Sequence, residues 1–204
     1  MAEARTRRRL SPAERRAELI DAAVRVLREQ GEPVNRAAAV TAAAGAAKAT
    51  FYVYFPSWED MLAAVRDRVM DDYSAPLRER LADDAPGDWW AVLDGEIDRF
   101  VDFTLGLGGL HRAVFYSSTE LTPIDEERSA TTLVARMIRR GVAEGSVRDV
   151  DPDTSADLFF AALHAAADAI AQGGDRDRWC SGLRDLTRRW LAPETSRPQG
   201  PARQ

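Results

Sequence analysis

The segment from Lys48 to Tyr54 contains the side chains of this sequence that are best suited to binding an anion. Lys48 is the only lysine, and every other basic side chain is an arginine. Thr50, Tyr52 and Tyr54 follow it, and each carries a hydroxyl group that can donate a hydrogen bond. The segment comes shortly after a turn residue, Gly45. We therefore predict a small helix that presents an ammonium group and three hydroxyl groups to a polyanion, most simply DNA.

The distribution of charge along the chain supports a polyanion partner. Residues 1–58 carry ten basic and six acidic side chains, whereas residues 59–204 carry 18 basic and 27 acidic ones. A basic N-terminal part joined to an acidic body predicts a polyanion-binding module attached to a body that stays off the polyanion. Random surface charge is the alternative, and the concentration of arginines in residues 5–16 argues against it.

Composition limits the other classes of protein. The single cysteine, Cys180, excludes an internal disulfide and a cysteine-based metal cluster, and we expect it to be packed in a helix. No apolar run approaches the roughly 18 residues of a membrane span. No apolar stretch follows the basic N-terminus as it would in a secretory signal. We expect a cytoplasmic protein with no metal and no cofactor.

The first helix has clear signals at both ends. Ser11 is the expected N-cap, Pro12 the first helical residue and Glu14 the partner in a capping box. Gly31 ends the helix. The apolar stripe of this helix consists of Ile20, Ala23, Val24 and Leu27.

Two shorter helices follow, joined by a tight connection. Asn35 is the expected N-cap of an alanine-rich helix over residues 36–44. Gly45 supplies the turn, and the next helix covers about residues 47–54. Two short helices joined by a glycine-containing turn are typical of a helix-turn-helix.

The remaining sequence predicts further helices and no strands. Pro76 is expected to kink or break the fourth helix, which Ser57 caps. The glycines of residues 106–109 are expected to end the fifth, and Pro123 to begin the seventh. The last two long helices are predicted from Asp153 to Ala171 and from Arg176 to Leu191.

Residues 16–23, Gly31, Ala44-Gly45 and residues 50–62 together resemble the N-terminal domain of the tetracycline-repressor (TetR) family. The resemblance covers about residues 12–62, and its most specific part is Thr50-Phe51-Tyr52-Val53-Tyr54-Phe55. It implies an all-α fold of about nine helices and a transcriptional regulator rather than an enzyme. The implied organisation is a disordered basic arm at 1–10, a helix-turn-helix DNA-binding domain at 11–57, a helical ligand-binding and dimerisation domain at 58–192 and a disordered tail at 193–204.

The sequence departs from the usual family pattern at several positions. Ala47 stands where a capping serine is common, and Ala49 replaces a frequent glycine. Ala39 stands where a polar or acidic residue is usual. Trp58 occupies a position where a phosphate-contacting lysine is common. These departures leave the fold unaffected and change the expected set of DNA contacts.

The candidate DNA-binding residues lie on the second and third helices. The resemblance implies that the hydroxyl groups of Tyr52 and Tyr54 donate hydrogen bonds to phosphates, and the alternative is that one tyrosine packs inward. Lys48 is expected to contact a phosphate or a guanine edge, or to be merely solvated. Phe51 and Phe55 are expected to be core residues. The predicted DNA-binding residues are Asn35, Arg36, Lys48, Ala49, Thr50, Tyr52, Val53 and Tyr54.

The acidic body is predicted to bind a small-molecule effector, most simply a hydrophobic or aromatic one that releases the DNA operator. Aromatic residues at helical spacing also form ordinary cores, so each named residue has that alternative. A constitutive or partner-controlled regulator without an inducer is the alternative function. The predicted pocket residues are Trp90, Phe100, Phe103, His111, Phe115, Tyr116, Met137, Phe160 and His164.

The last two long helices are predicted to form a homodimer interface, because small residues permit close approach of helices and large ones interlock. A buried pair within one subunit is the alternative. An enzyme is the distant alternative, since His164 and Asp168 have the spacing of a base and its orienting partner. No nucleophile motif or phosphate-binding loop accompanies these two residues.

Overall fold

The computed structural model describes residues 10–82, 88–115 and 129–193. Within these ranges the chain forms nine α-helices and no strand, so the all-α prediction is confirmed. No helix in this part of the chain combines the length and apolar character needed to cross a membrane. The helices are α1 (Pro12–Gln30), α2 (Arg36–Ala43), α3 (Lys48–Tyr54), α4 (Trp58–Ala82), α5 (Trp89–Leu107), α6 (Gly109–Phe115), α7 (Ala130–Ala143), α8 (Pro152–Ala171) and α9 (Arg176–Leu191).

Local sequence signals fix the ends of most helices. At the start of α1, the backbone N–H of Ser11 donates to Glu14 Oε2 (2.7 Å) and that of Glu14 donates to Ser11 Oγ (3.2 Å), as the capping box predicts. Gly31 ends α1 with a φ of 67°, a value that favours glycine. Asp151 and Asp175 cap α8 and α9 through hydrogen bonds from backbone N–H groups in the first turn of each helix.

The chain divides into two compact units. The first comprises residues 1–72 and 107–124, and the second comprises residues 73–106 and 125–204. In the described ranges, the first unit contains α1 to α3, the first part of α4, and α6. The second contains the end of α4, with α5 and α7 to α9.

The core of the first unit contains buried side chains from α1, α2, α3, the first part of α4 and α6. Val26 lies in this core, whereas Val24 is only half-buried, so the predicted stripe of α1 was displaced around the helix at this position. Apolar residues three or four positions apart share a helix face, and a valine lies on each side of Arg25. The sequence alone therefore did not show whether Val24 or Val26 faces the core. The fully buried side chains include Leu19, Leu27, Phe51, Phe55 and Met61.

Within the second unit, Trp89 at the start of α5 packs closely against α7. The indole nitrogen of Trp89 donates a 2.8 Å hydrogen bond to the carbonyl oxygen of Met137. A Cβ atom at Gly141 would lie 2.6 Å from that nitrogen, so only glycine fits beneath the indole ring. The approach of the two helices therefore depends on one glycine and one tryptophan.

A ladder of ion pairs joins α5 to α9 within the second unit. Asp94, Asp98 and Asp102 lie one turn apart on α5 and pair with Arg188, Arg184 and Arg176 of α9, respectively. The reversed order of the partners shows that the two helices run antiparallel. Because these side chains are partly exposed, solvent screens each pair and limits its contribution to stability.

Pro76 does not break α4, whereas α5 ends within residues 106–109, as predicted. Helix α4 continues through Pro76 to Ala82, and α5 continues through Gly106 to Leu107. The change of direction after α5 occurs at Gly108, whose φ is 53°. The predicted start of a helix at Pro123 lies outside the described residues, as do nearly all of the predicted N-terminal arm and C-terminal tail.

Candidate nucleic-acid interface

The turn between α2 and α3 is fixed by backbone hydrogen bonds. The N–H of Gly45 donates to Ala42 O (3.0 Å), and the N–H of Ala46 donates to Thr41 O (2.7 Å). Gly45 has a φ of 59°, which other residues rarely adopt. Thr41 is buried, and its hydroxyl group donates back to Ala37 O (2.8 Å). This turn holds α2 and α3 in the helix-turn-helix arrangement that the sequence predicts.

Helix α3 is anchored by two phenylalanines four residues apart. Phe51 and Phe55 are each 1 % exposed, and their ring centroids lie 5.8 Å apart. The guanidinium of Arg16 on α1 lies 5.0 Å from the Phe55 ring centroid. The prediction that both phenylalanines are core residues is confirmed, and their burial determines which side of α3 faces solvent.

The opposite side of α3 carries the predicted DNA-binding residues. Tyr52 is 57 % exposed and Val53 is 75 % exposed. Lys48 and Ala49 are also exposed, and within the described residues Lys48 makes no ion pair. Large apolar and aromatic groups on the surface of a seven-residue helix are costly in water unless a partner covers them.

The two tyrosines of α3 differ in their environments. The ring of Tyr52 contacts the Phe51 ring edge-on, at 5.3 Å between centroids, and much of Tyr52 remains exposed. Tyr54 is half-buried, as is Thr50. Tyr54 therefore lies between the two sequence-based alternatives of a fully outward and a fully inward side chain.

The beginning of α2 lies beside α3. Asn35 occupies the N-cap position as predicted, but its side chain makes no capping hydrogen bond. Val34 is 98 % exposed. Asn35 and Arg36 from α2 join Lys48 and Tyr52 from α3 in lining a surface notch of about 230 Å³. The structure thus brings predicted residues of both helices to one concave surface, which we call the α2–α3 notch.

Trp58 belongs to the same notch and is a buried residue, 8 % exposed. Its indole nitrogen donates a 2.9 Å hydrogen bond to Glu32 Oε1. Glu32 also pairs with Arg36, whose Nη2 lies 2.7 Å from Glu32 Oε1. Sequence reasoning did not single out Glu32. Glu32 lies in the connection between α1 and α2, where the helical rule for charges four residues apart does not apply, so its pairing with Arg36 had no sequence signal.

Some of the predicted effector-pocket residues come together in the second unit. The Phe100 ring contacts those of Phe160 and His164, with centroids 5.6 Å and 4.8 Å apart. Phe103 packs against Tyr73 at 4.5 Å, and Tyr73 also contacts Phe100. Burial raises the pKa of the Tyr73 phenol far above its usual value, so the phenol remains neutral. These residues form an aromatic cluster, from which the predicted set lacked Tyr73 and also Phe159, whose ring centroid lies 6.2 Å from that of Phe160.

The other predicted pocket residues lie elsewhere. Trp90 contacts Trp89, with centroids 4.9 Å apart, and Met137 lines a small cavity of about 50 Å³. His111 and Phe115 belong to the first unit, where their rings contact each other at 5.5 Å. Tyr116 lies outside the described residues. The nine predicted residues are therefore not all neighbours in the structure.

The suggested pairing of a histidine base with an aspartate does not form. Nδ1 of His164 lies 2.8 Å from the carbonyl oxygen of Phe160, one turn earlier on α8. Among the described residues, no three side chains of the metal-ligating types form a group that could hold a metal ion. Neither observation identifies a catalytic site.

Comparison with known proteins identifies the N-terminal part of the chain. Residues 19–65 match the sequence model of the bacterial regulatory proteins of the tetR family. This range includes most of α1, all of α2 and α3, and the start of α4. No curated protein matches the chain.

Solved structures share the fold over most of the chain. The fatty acid degradation regulator FadR from Bacillus halodurans is 21 % identical, with a TM-score of 0.68, and the alignment covers 88 % of this chain and 96 % of that chain. A transcriptional regulator from Saccharomonospora viridis in complex with choline is 20 % identical, with a TM-score of 0.66 and coverages of 89 % and 100 %. A TetR-family regulator from Pectobacterium atrosepticum is 22 % identical, with a TM-score of 0.67 and coverages of 90 % and 99 %.

Proposed function

Because this chain belongs to the TetR family of bacterial transcriptional regulators, we propose that it is a repressor that binds an inverted-repeat DNA operator as a homodimer. A hydrophobic or aromatic small molecule releases it from the operator. Regulation rather than catalysis is the activity of the family and of the regulators that share this fold. An operator on the chromosome implies that the protein acts in the cytoplasm.

The exposed side of α3 is the observation that carries the proposal. Tyr52 and Val53 are largely exposed beside Lys48, while Phe51 and Phe55 are buried on the other side of the same two turns. A helix of this size enters the major groove of B-DNA, which is about 12 Å wide. The exposed surface of α3 is of the right size and chemistry to contact base edges there.

The predicted residues divide into two kinds of contact. Phosphate contacts determine the affinity and orientation of the protein, and base contacts determine sequence preference. We assign phosphate contacts to the polar groups of Asn35, Arg36, Lys48, Tyr52 and Tyr54. We assign base contacts to Ala49, Thr50 and Val53. Their methyl groups can pack against the methyl group of thymine, and the hydroxyl of Thr50 can form a hydrogen bond with a base edge.

The proposed homodimer forms through α8 and α9. Leu158 on α8 is 55 % exposed, and Trp179 and Leu186 on α9 are 42 % and 55 % exposed. Exposed large apolar groups on adjacent helices indicate a surface that a partner covers. A two-fold dimer places two copies of α3 on one side of the DNA, so the operator is expected to contain an inverted repeat with half-sites one or more helical turns apart.

The effector site is proposed for the second unit, around the aromatic cluster of Phe100, Phe103, Phe160 and His164. Trp90 and Met137 are the other candidates in this unit, whereas His111 and Phe115 belong to the first unit and Tyr116 lies outside the described residues. An effector that binds more tightly to a state with a different separation of the two α3 helices shifts the protein away from the DNA-binding state. Operator affinity can fall at most by the ratio of the effector's affinities for these two states. The choline complex and the fatty acid regulator illustrate small molecules connected with this fold in other proteins.

The small cavity in the second unit favours the alternative, a regulator without a small-molecule inducer, whereas an open cleft of about 610 Å³ in the first unit is lined by His111. The cavity beside Met137 measures about 50 Å³, and the aromatic side chains of the cluster contact one another. Pockets for drug-sized ligands measure roughly 300–1,000 Å³. A constitutive or protein-partner-controlled regulator is therefore retained as a second candidate.

Electrophoretic mobility shift with the DNA flanking its own gene tests both candidates. The first candidate predicts a sequence-specific shift that a small-molecule library or a protein-free cell extract reverses, and that chelators leave unchanged. The second predicts the same shift without reversal by any small molecule. Absence of a specific shift, also with operators selected from random duplexes, would refute the DNA-binding assignment.

A further inference from the structure

We infer that Glu32 and Trp58 are positioning residues that hold the guanidinium of Arg36 in place for a DNA phosphate. The inference rests on the proposed DNA-binding function. It assigns a role to two residues, Glu32 and Trp58, that do not belong to the set proposed to contact DNA. Arg36 of α2 and Trp58 of α4 line the α2–α3 notch, and Glu32 of the α1–α2 connection contacts both.

One carboxylate oxygen joins the three residues. Glu32 Oε1 lies 2.7 Å from Nη2 of Arg36 and accepts a 2.9 Å hydrogen bond from the indole nitrogen of Trp58. The Cζ atom of Arg36 also lies 5.7 Å from the Trp58 ring centroid, within the range of a cation–π contact. Arg36 is therefore held twice, by a charge at one nitrogen and by an aromatic ring.

Trp58 is itself fixed by the core of the first unit. Its ring is nearly parallel to that of Phe51, with an angle of 21° and a centroid distance of 6.3 Å. Phe51 is 1 % exposed, and Trp58 is 8 % exposed. The ring that contacts Arg36 is thus part of the packed interior. Its position does not depend on a mobile surface side chain.

Arg36 keeps the capacity to bind an anion. A guanidinium has five N–H donors, and the contact with Glu32 involves one of its terminal nitrogens. The side chain is 46 % exposed and lines the notch together with Lys48. A cation that is already ordered loses less conformational freedom on binding than a free one, so its contact with a phosphate is strengthened.

Removal of the Glu32 charge separates positioning from simple electrostatics. An acidic group near DNA repels phosphates, so its neutralisation strengthens binding if repulsion is its only effect. If Glu32 positions Arg36, neutralisation weakens binding, because Arg36 loses its ordered conformation. The two effects have opposite signs in the Glu32→Gln variant.

The test uses the full-length protein and a fluorescein-labelled duplex of mixed sequence and about 30 base pairs, since phosphate contacts do not depend on sequence. Fluorescence anisotropy gives Kd over a series of KCl concentrations. We expect Glu32→Gln and Arg36→Gln each to weaken binding about threefold to tenfold and to reduce the salt slope by up to about one unit. In the double variant, Glu32→Gln adds nothing to Arg36→Gln.

A neighbouring acid supplies the matched control. Glu59 is exposed and follows Trp58 directly in the first turn of α4. Glu59→Gln removes the same charge and leaves the contacts of Arg36 intact, so binding is expected to be unchanged or slightly stronger. Glu32→Gln that binds as tightly as wild type, or more tightly, overturns the inference. So does an effect of Glu32→Gln that persists undiminished in the Arg36→Gln background.

A second variant covers the case in which Glu32→Gln fails to fold. Trp58→Phe keeps an aromatic ring in the core and removes the N–H that orients Glu32. It is expected to weaken binding in the wild-type background and not in the Arg36→Gln background, with an unchanged circular dichroism spectrum. Equal weakening in both backgrounds overturns the inference.

Wild-type protein that shows no salt-dependent binding to the duplex overturns the proposed function. Normal binding by the wild type, with no change in either Glu32→Gln or Trp58→Phe, overturns only the positioning role.

Discussion

Gly109 lies against Gly31 with no space for a side chain between them. A Cβ atom at Gly109 would lie 2.8 Å from the Cα atom of Gly31 and 2.9 Å from the carbonyl oxygen of Leu27. The atoms in the way belong to the backbone, so they cannot move aside as the end of a flexible side chain does. The first residue of α6 is therefore seated directly on the C-terminal end of α1, within the first unit.

Gly109→Ala is expected to destabilise the protein because the added methyl group forces α6 away from α1. Overpacking of this kind costs typically about 1–3 kcal/mol of unfolding free energy. Urea denaturation followed by circular dichroism measures the loss. Gly95→Ala on α5 is the control, since a Cβ atom there meets nothing within 4 Å, and it is expected to stabilise by about 0.5–1 kcal/mol. Equal stability of Gly109→Ala and wild type would show that α6 adjusts freely.

The elements whose ends depend on local chemistry were predicted well from sequence. The capping box of Ser11 and Glu14, the turn at Gly45 and the cap at Ser57 involve residues within a few positions of each other, so their spacing in the sequence carries the information. A proline inside a helix is different. Its cost of about 3 kcal/mol is smaller than the packing energy of a long helix, so α4 continues through Pro76.

Contacts between distant segments were not available from sequence. The hydrogen bond from Trp58 to Glu32 spans 26 residues, and the ion pair between Arg188 and Asp94 spans 94. A single sequence shows which residues share a face of one helix, but it does not show which other helix covers that face. For this reason the predicted DNA-binding residues, which are close together in sequence, lie close together in the structure. The predicted pocket residues from α5, α6, α7 and α8 only partly do.

Lys48→Ala is expected to weaken DNA binding and to reduce the salt slope by about one unit, because one phosphate contact and its released counterion are lost. At about 0.1 M salt this corresponds to roughly a tenfold loss of affinity. Tyr52→Phe removes only a neutral donor, so it is expected to lower affinity with an unchanged slope. Arg148→Ala, at an exposed position of the second unit, is the control. An unchanged slope in Lys48→Ala would identify Lys48 as a merely solvated residue.

Asp151 is expected to make the stability of α8 depend on acid pH. The side-chain and backbone hydrogen bonds from Thr154 hold the pKa of Asp151 below its ordinary value of 3.8 in the folded protein. A lowered folded-state pKa means that the carboxylate stabilises the fold above 3.8, and that this stabilisation disappears as the pH falls through the lower, folded-state value.

The Asp151→Asn variant isolates this effect, because asparagine caps a helix without titrating. The difference in melting temperature between wild type and Asp151→Asn is expected to shrink below pH 3.8 and to stay constant above about pH 6. Asp151→Ala, which lacks the capping oxygen, is expected to melt at a lower temperature than wild type at neutral pH. A wild-type advantage that grows on acidification contradicts the assignment.

Cys180 is expected to be unreactive in the folded protein. Its side chain is 1 % exposed on α9. Burial raises the pKa of the thiol above its ordinary value, and this effect is larger than that of the positive charge of Arg176, which lowers the pKa. The low exposure and the raised pKa both reduce the concentration of accessible thiolate, the species that reacts. Iodoacetamide at neutral pH is expected to leave the folded protein unmodified and to label it in urea, as detected by mass spectrometry. Rapid labelling without denaturant would indicate an accessible, activated thiol.

Gly182 is expected to mark the closest approach of the two subunits in the proposed homodimer. It lies in the interior of α9 on the exposed side, between Trp179 and Leu186, and a Cβ atom there would meet nothing within 4 Å in its own subunit. Glycine inside a helix costs about 0.5–1 kcal/mol relative to alanine, and no contact within the subunit requires it. A partner helix that packs on Gly182 provides such a requirement.

Gly182→Ala and Gly182→Leu are therefore expected to raise the intrinsic stability of α9 and to weaken the dimer, with the larger effect on dissociation for leucine. Analytical ultracentrifugation over a range of concentrations gives the dimer dissociation constant, and urea denaturation of the monomer gives stability. Gly95→Ala, an equally open and exposed helical glycine on α5, is expected to gain stability with unchanged dimerisation. If both Gly182 variants dimerise as wild type does, the closest approach of the subunits lies away from Gly182. If the wild-type protein is monomeric at micromolar concentration, the homodimer itself is excluded.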